Sequence, residues 1–201
     1  MPPYVDHDLR RNELAAVAAD LVATGGADAA TVRAIASAGG FSTKVVSHYF
    51  ADKRALMLAT YAYAASHAAA LTEASQPPVG ADVQAFLRAL LPIRAEAARN
   101  WRVWFAFWGR AIADDDLAAE QRRRAAHFVE RITAALGADP AFAELPTALH
   151  PSLAARLFSA LVGIAMQAVF DPAAWPPERQ IALLCDTLAP ASANRNLQNE
   201  C

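Results

Sequence analysis

Apolar side chains recur along most of this 201-residue chain at the three- and four-residue spacing of one helix face. The first example lies between Asp8 and Thr24, with apolar residues at positions 14, 17, 18, 21 and 22. Such spacing predicts amphipathic helices, and no alternating runs of Val, Ile and Thr suggest strands. We therefore expect an all-α protein of about nine helices, over 8–24, 31–38, 42–49, 52–75, 82–99, 101–113, 115–136, 152–170 and 177–188.

Composition narrows the class of protein without identifying it. Hydrophobic residues make up 55% of the chain and charged residues 19%, which supplies a sizeable core and argues against disorder. Cys185 and Cys201 are far from Cys-x-x-Cys spacing, so we expect no zinc site, other metal or cofactor. The most apolar run, 157–170, contains Ser159 and Gln167 and is too short to span a bilayer. These features favour a cytoplasmic protein with no membrane partner.

Two short predicted helices, 31–38 and 42–49, are separated by the sequence Gly-Gly-Phe. Thr31 and Ser42 are suitable N-caps, and the glycine pair ends the first helix. Such a pair is typical of a helix-turn-helix, whose second helix lies in the major groove of DNA. Four basic residues and one acidic residue lie within 31–54, although the formal net charge of the chain is −2, so this segment can contact phosphates. The second helix would present Thr43, Lys44, Ser47 and His48 outward.

The sequence TVRAIASAGGFSTKVVSHYFADKRAL, which contains these helices, resembles the DNA-binding domain of the TetR family of bacterial repressors. The resemblance covers about 9–58 and includes the aromatic pair before the fourth helix. Family members usually carry Tyr at the position of Ser47. With that serine, STKVVSHYF is more similar to the choline- and betaine-responsive branch, as is WRVWFAFWGRAIADDDL further along the chain.

The resemblance implies a domain organisation. A three-helix helix-turn-helix domain would occupy 1–52, and a larger ligand-binding and dimerisation domain would occupy 53–190. The polar segment 191–201 would be a disordered tail.

The resemblance also implies roles for individual residues. The exposed residues of the second helix would contact bases or adjoining phosphates, Arg33 would reach DNA from the preceding helix, and two further residues would hold phosphates. Lys44 occupies a position where the family often has Gly, so this chain should differ in sequence preference. The implied DNA-binding set is Arg33, Thr43, Lys44, Ser47, His48, Tyr49 and Lys53.

An aromatic stripe lies in the second half of the chain. Trp101, Trp104, Phe105, Trp108 and Ile112 have the spacing of one helix face. Aromatic stripes usually pack into a core, but the four rings could instead wall a ligand cavity for a flat apolar molecule or a quaternary ammonium. The acidic run 114–116 could supply a carboxylate to a cation, although helix capping explains it without a ligand.

The last two predicted helices are candidates for a homodimer interface. A continuous apolar stripe follows the first of them, and Gly163 would allow close backbone approach. A two-fold symmetric dimer suits a palindromic DNA site. The predicted interface residues are Leu157, Leu161, Ile164, Ala165 and Ala168.

Taken together, these features predict a ligand-responsive transcriptional repressor. Its partners would be a palindromic double-stranded DNA operator, a small-molecule effector of unknown identity and a second copy of the chain. Motifs for a phosphate loop, a serine nucleophile elbow or a zinc protease are missing from the sequence, so we do not expect an enzyme. The alternative is a non-enzymatic helical module that binds small molecules or proteins and carries a vestigial helix-turn-helix.

Overall fold

A computed structural model describes residues 7–75 and 82–189, and all regular structure in these two ranges is helical. The predicted tail lies outside the described residues. The all-α prediction is confirmed. The helices are α1 His7–Gly25, α2 Val32–Gly39, α3 Thr43–Tyr49, α4 Lys53–Ser75, α5 Val83–Leu90, α6 Ala95–Ala111, α7 Asp115–Ala138, α8 His150–Phe170 and α9 Pro177–Leu188, with 3-10 turns at Pro140–Phe142 and Thr147–Leu149.

Polar side chains cap the starts of α2, α3, α4 and α5. The hydroxyl of Thr31 accepts from the backbone N–H of Ala34 at 3.1 Å, and the Ser42 hydroxyl accepts from that of Val45 at 3.3 Å. Carboxylates start two more helices: Asp52 accepts from the third residue after it at 2.7 Å, and Asp82 does so at 3.0 Å. Each cap satisfies a backbone donor that the first helical turn leaves unpaired. The helix starts predicted at Thr31, Ser42 and Asp52 are therefore confirmed.

The prediction of one helix over 82–99 is wrong, because the helix is interrupted after α5. Leu91 has an extended backbone, with ψ 142°, and Pro92 follows it. A residue before proline is disfavoured in the helical region, so α5 ends at Leu90. The next helix begins at Ala95 rather than at Trp101, which adds Asn100 and Arg99 to α6.

The described residues form two compact units. The first contains 7–75 and 92–127, and therefore α1 to α4, α6 and the first half of α7. Within it, α1 packs against α4 and α6, and α2 packs against both α1 and α3. The boundary between the DNA-binding and ligand-binding domains, placed between 52 and 53 from the sequence, stays a prediction. The apolar core of this unit includes Leu14, Ala18, Val22, Ile35, Val46, Phe50, Leu56, Met57, Val103 and Phe107.

The second unit contains 82–91 and 128–189. In it, α9 packs against α5 and α8. Asp139 is buried and accepts hydrogen bonds from the backbone N–H groups of Val83 and Ala141, both at 2.9 Å. One carboxylate therefore fixes both the start of α5 and the 3-10 turn that follows α7.

The predicted dimer stripe lies inside a single chain. Its five residues are at most 6% exposed, and two of them, Leu157 and Ala165, are completely buried. They leave no side-chain surface for a partner, so their assignment to an interface is wrong. The reason is that an apolar spacing pattern marks the packed face of a helix but does not tell whether that face packs within one chain or against a second copy. The large apolar residues exposed on α8 and α9 are Met166, Phe170 and Leu183.

The apolar segment that includes α8 is also longer than the sequence suggested. Thr147–Phe170 is long and apolar enough to cross a bilayer by length and composition alone, and an 18-residue stretch of it has mean hydropathy 1.8. The predicted run 157–170 is therefore part of a longer apolar segment. Core helices of soluble proteins pass the same test, and Leu153, Leu157 and Leu161 are buried within the second unit.

Candidate nucleic-acid interface and aromatic cluster

The turn between α2 and α3 depends on a left-handed residue. Gly40 has φ +69°, a conformation that side chains with a Cβ rarely adopt. Its N–H and that of Phe41 both donate to the carbonyl of Ala36, which ends α2. Ile35 and Val46 are both completely buried, so each of the two helices is anchored by one side chain.

This anchoring leaves the polar side of α3 in solvent. Tyr49 is half-buried at the end of the helix. Arg33 on α2 is exposed as well. The exposed residues of α3 are Thr43, Lys44, Ser47 and His48.

Lys53 has a structural contact that the sequence did not reveal. Its Nζ donates to the backbone carbonyl of Ala30 at 3.1 Å and lies 3.9 Å from a carboxylate oxygen of Asp28. Burial lowers the pKa of this amine, as does the positive charge of Arg110, while Asp28 acts in the opposite direction. The first residue of α4 is thus tied to the loop between α1 and α2, and removing its side chain would perturb that loop.

A ring cluster lies at the C-terminal end of α3. His48 contacts Tyr49 edge-to-face, with ring centroids 5.3 Å apart, and His7 of α1 lies 5.7 Å from the Tyr49 ring. His7 was not among the predicted residues, because it lies more than 40 residues before its neighbours and only the packing of α1 brings it there.

Ion pairs connect the helix-turn-helix segment to α6 and α7 within the first unit. Arg54, at the start of α4, pairs with Asp114 at 2.8 Å and also with Asp116. Asp28, in the loop before α2, accepts from Arg110 of α6 at 2.5 Å. Sequence reasoning missed these pairs, because each joins residues at least 60 positions apart.

The acidic run before α7 is engaged in these contacts. Asp114 accepts from the backbone N–H of Leu117 at 3.1 Å, the cap that its position predicted. That hydrogen bond, followed by the Arg54 guanidinium, lowers the pKa of the Asp114 carboxyl. Capping and ion pairing therefore explain the carboxylates of Asp114 and Asp116 without a ligand.

The inward face of α6 differs from the predicted stripe. Ile112 is 89% exposed, so its inclusion was wrong, whereas Phe107 is completely buried and stacks on Tyr61 at 3.9 Å between ring centroids. Asn100, which the predicted helix boundaries excluded, is also buried. The reason for the error is that seven of eight residues in 101–108 are apolar, so spacing alone did not fix the direction of burial.

The four rings predicted to bind a ligand do form one cluster. Trp101 is buried and contacts Trp104 edge-to-face at 4.8 Å between ring centroids. Phe105 lies 5.4 Å from the rings of both Trp101 and Trp108. Trp104 and Trp108 are half-buried and pack against the core of the first unit. Core packing therefore explains part of the cluster, and its possible ligand role stays a prediction.

A short polar chain borders this cluster. The indole N–H of Trp108 donates to the Tyr61 hydroxyl at 3.3 Å, and that hydroxyl donates to the side-chain oxygen of Gln121 on α7. Burial is the main reason that the pKa of Tyr61 is raised. The tyrosine thus stays neutral and links α4, α6 and α7. Among the described residues, no group of three or more His, Cys, Asp and Glu could hold a metal ion.

Comparison with known proteins identifies the family. Residues 14–60 match the model of bacterial regulatory proteins of the tetR family. Residues 80–191, more than half of the chain, match the C-terminal domain of BetI-type transcriptional repressors. The chain belongs to the TetR family. Its C-terminal part is of the BetI type.

Curated relatives agree with this assignment. The transcriptional regulator BetI of Serratia proteamaculans is 26% identical over 192 residues, which cover 92% of this chain and 94% of the relative. BetI of Paraburkholderia phytofirmans is 28% identical over 116 residues. That match spans 56% of this chain and 60% of the relative's length.

Solved structures of other regulators share the fold. A transcriptional regulator from Rhodococcus sp. Rha1 aligns with a TM-score of 0.77 and 26% identity, over 89% of this chain and 93% of its own. A regulator from Saccharomonospora viridis, solved in complex with choline, aligns with a TM-score of 0.74 over 90% and 95% of the two chains. At 19% identity this second likeness concerns the fold alone.

Proposed function

We propose that this TetR-family protein is a transcriptional regulator that binds a palindromic operator through α3 and is released when a small molecule binds within the first unit. The observation that carries the proposal is the short helix α3, anchored by Val46 and exposing hydroxyl, imidazole and ammonium groups. Such groups can contact base edges and phosphates in a major groove.

Operator binding provides the test of the DNA-binding part. A duplex obtained by selection from random sequence should bind the wild-type protein, and raising the salt concentration should weaken binding steeply because phosphate contacts release counterions. A Ser47→Ala variant should change the preferred base at one position and leave the salt dependence unchanged. No retention of any duplex at low salt would instead favour the helical binding module with a vestigial helix-turn-helix.

We further propose a homodimer formed through the exposed faces of α8 and α9. Phe170 is 79% exposed, and Met166 and Leu183 are 39% and 37% exposed, which is an unfavourable state for three large apolar residues on neighbouring helices. Gly163, on the exposed side of α8, has open space where a side chain would be, so another helix could approach its backbone closely. Light scattering at micromolar concentration should give twice the mass of one chain.

The effector part of the proposal rests on the aromatic cluster. The cluster and the helix-turn-helix belong to the same compact unit, and Arg110 of α6 is paired with Asp28 next to α2. A molecule that displaces α6 would therefore act on the loop that positions the DNA-binding helices. Because binding energies are linked, an effector that weakens operator binding by some factor must bind the protein–DNA complex more weakly by the same factor.

Choline is the first compound to test, since a neighbour of the same fold was solved with it. Titration of the protein–operator complex with choline and with small neutral and aromatic compounds should find one that lowers operator affinity and changes tryptophan emission. A compound that changes emission without affecting operator affinity would be a ligand but not an effector.

A further inference from the structure

Two neighbouring polar atoms on α6 are buried without a hydrogen-bond partner. They are the side-chain oxygen Oδ1 of Asn100 and the indole nitrogen Nε1 of Trp104. Within the described ranges, only Oε1 of Gln180 is in the same state. A buried polar atom left unpaired is destabilising, so such atoms are normally paired by the protein or by a bound molecule.

The two atoms are complementary and close in the helix. Residues 100 and 104 are one turn apart on the same side of α6, where Cβ atoms are about 5–6 Å apart. An indole N–H only donates, and the amide oxygen only accepts. One small group that both accepts and donates could therefore pair with both atoms.

The surrounding side chains hold both groups in position. Asn100 is 1% exposed, and its Nδ2 lies 3.4 Å from Nδ1 of His67 on α4. The ring of Trp101 contacts the Trp104 ring edge-to-face. Each polar atom thus belongs to a side chain fixed at its other end, as expected of a prepared binding group.

The tyrosine rings of α4 do not favour a cationic ligand. The guanidinium of Arg124 lies 5.0 Å from the ring centre of Tyr61, whose ring also stacks on Phe107. The guanidinium of Arg99 lies 5.6 Å from the ring centre of Tyr63. Both α4 tyrosine rings therefore already have a cation as neighbour. A quaternary ammonium would need free aromatic faces or an available carboxylate.

A carboxylate on α7 is also engaged. Glu120 is bound by the guanidinium groups of both Arg123 and Arg124, and its side chain is only 10% exposed. Its negative charge is therefore balanced within α7.

We propose that Asn100 and Trp104 recognise a neutral effector by a single hydroxyl or carboxamide group, while its compact apolar body packs on the aromatic cluster. The indole N–H of Trp104 donates to the oxygen of that group, and the O–H or N–H of the group donates to Asn100 Oδ1. This inference rests on the proposed effector function and specifies the chemical class of the effector.

Three probes of nearly the same shape separate charge from hydrogen bonding. Choline is the cationic probe, its uncharged carbon analogue dimethylbutanol keeps the hydroxyl, and the methyl ether of that alcohol accepts but cannot donate. Titration calorimetry and tryptophan emission on the full chain should show the alcohol binding at least about tenfold more tightly than either of the other two. A factor of ten is the size expected for one hydrogen bond.

Variants locate the contact. Trp104→Phe and Asn100→Leu each remove one polar atom and should each weaken alcohol binding about tenfold, with the helix content verified by circular dichroism. Trp175→Phe is the matched control, because it removes an indole N–H in the second unit and should leave the affinity unchanged.

Several results would overturn the inference: choline or the ether binding as tightly as the alcohol, no binding of the alcohol at millimolar concentration, or equal affinities in Trp104→Phe and wild type. Alcohol binding that leaves operator affinity unchanged would support the inference and contradict the effector role. Wild-type protein that binds the alcohol but no duplex would contradict only the DNA-binding part of the proposed function.

Discussion

The short helices α2 and α3 are held mainly at their ends, whereas the long helices α6 and α8 are held along one face. Thr31 and Ser42 cap the short helices, and only one or two side chains of each are buried. In α8, eight residues are buried, and in α6 six are. A helix held at its ends leaves most of its surface for a partner, while a helix held along one face can offer only the opposite face.

This difference fixes where partners can bind. On α3 the available surface is polar, which suits a reversible and salt-dependent contact with nucleic acid. On α8 the available surface includes Phe170 and Met166, which suits a lasting contact with another apolar helix face. Substitutions on the two kinds of helix should therefore differ in both size and kind of effect.

The largest effect is expected in the buried face of α8. Leu161→Arg places a charge at a position that is 1% exposed and should destabilise the protein by at least about 4 kcal/mol, with loss of helix content. Phe170→Arg should keep the helix content and convert a dimer to a monomer. Circular dichroism measures the helix content of both variants, and light scattering measures whether each is a monomer or a dimer. A folded, monomeric Leu161→Arg protein would restore the interface predicted from the sequence.

A similar contrast is expected along α6. Phe107→Ala removes a completely buried ring that stacks on Tyr61 and should cost about 3–5 kcal/mol in free energy of unfolding. Ile112→Ala, at a position 89% exposed, should change it by no more than about 0.5 kcal/mol. Urea denaturation measures both. Equal losses would mean that the direction of burial along α6 is incorrect.

The caps of the short helices should have a smaller effect. Ser42→Ala removes the acceptor for the N–H of Val45 and should cost about 1 kcal/mol. Operator affinity should fall together with stability, because α3 would fray at its first turn. Ser66→Ala, an exposed serine within α4, is the control and should change neither quantity. If the two serine variants behave alike, the cap contributes nothing.

The smallest effect is expected in the pH dependence of the stability that Asp114, between α6 and α7, contributes. The pKa of Asp114 is lowered in the folded protein, so its charged form contributes stability above the ordinary carboxyl pKa of about 4. That contribution is lost as pH falls through the lowered pKa. The difference in Tm between wild type and Asp114→Asn should therefore be largest at neutral pH and shrink in acid. A difference independent of pH would exclude the ion pair with Arg54 and the charged cap as its cause.

The contrast between helices held at their ends and helices held along one face also explains which features could be predicted from the sequence. The starts of α2, α3 and α4 depend on residues within four positions, so Thr31, Ser42 and Asp52 were enough to predict them. The direction of burial on α6 depends on distant helices, and apolar residues on nearly every side of 101–108 carry no signal for it. On α8 the spacing matched the buried stripe but did not show that the stripe packs within one chain. Pro92 did carry a signal for the end of α5, although the predicted helix continued to residue 99.

The candidate sites divide in the same way. The outward polar residues of α3 could be predicted because a helix-turn-helix fixes which side faces away from the core. The contact of Lys53 with the carbonyl of Ala30 and the unpaired atoms on α6 could not, because both require the packed arrangement.

The central claim is that α3 binds DNA. The most direct test is the salt dependence of operator affinity in two variants that each lose one exposed cation. Lys44→Ala removes an exposed cation of α3, and Arg122→Ala removes an exposed cation of α7. The plot of log affinity against log salt should become shallower by roughly 1 for Lys44→Ala and stay unchanged for Arg122→Ala. Equal slopes for Lys44→Ala and wild type, or a reduced slope for Arg122→Ala alone, would contradict the claim.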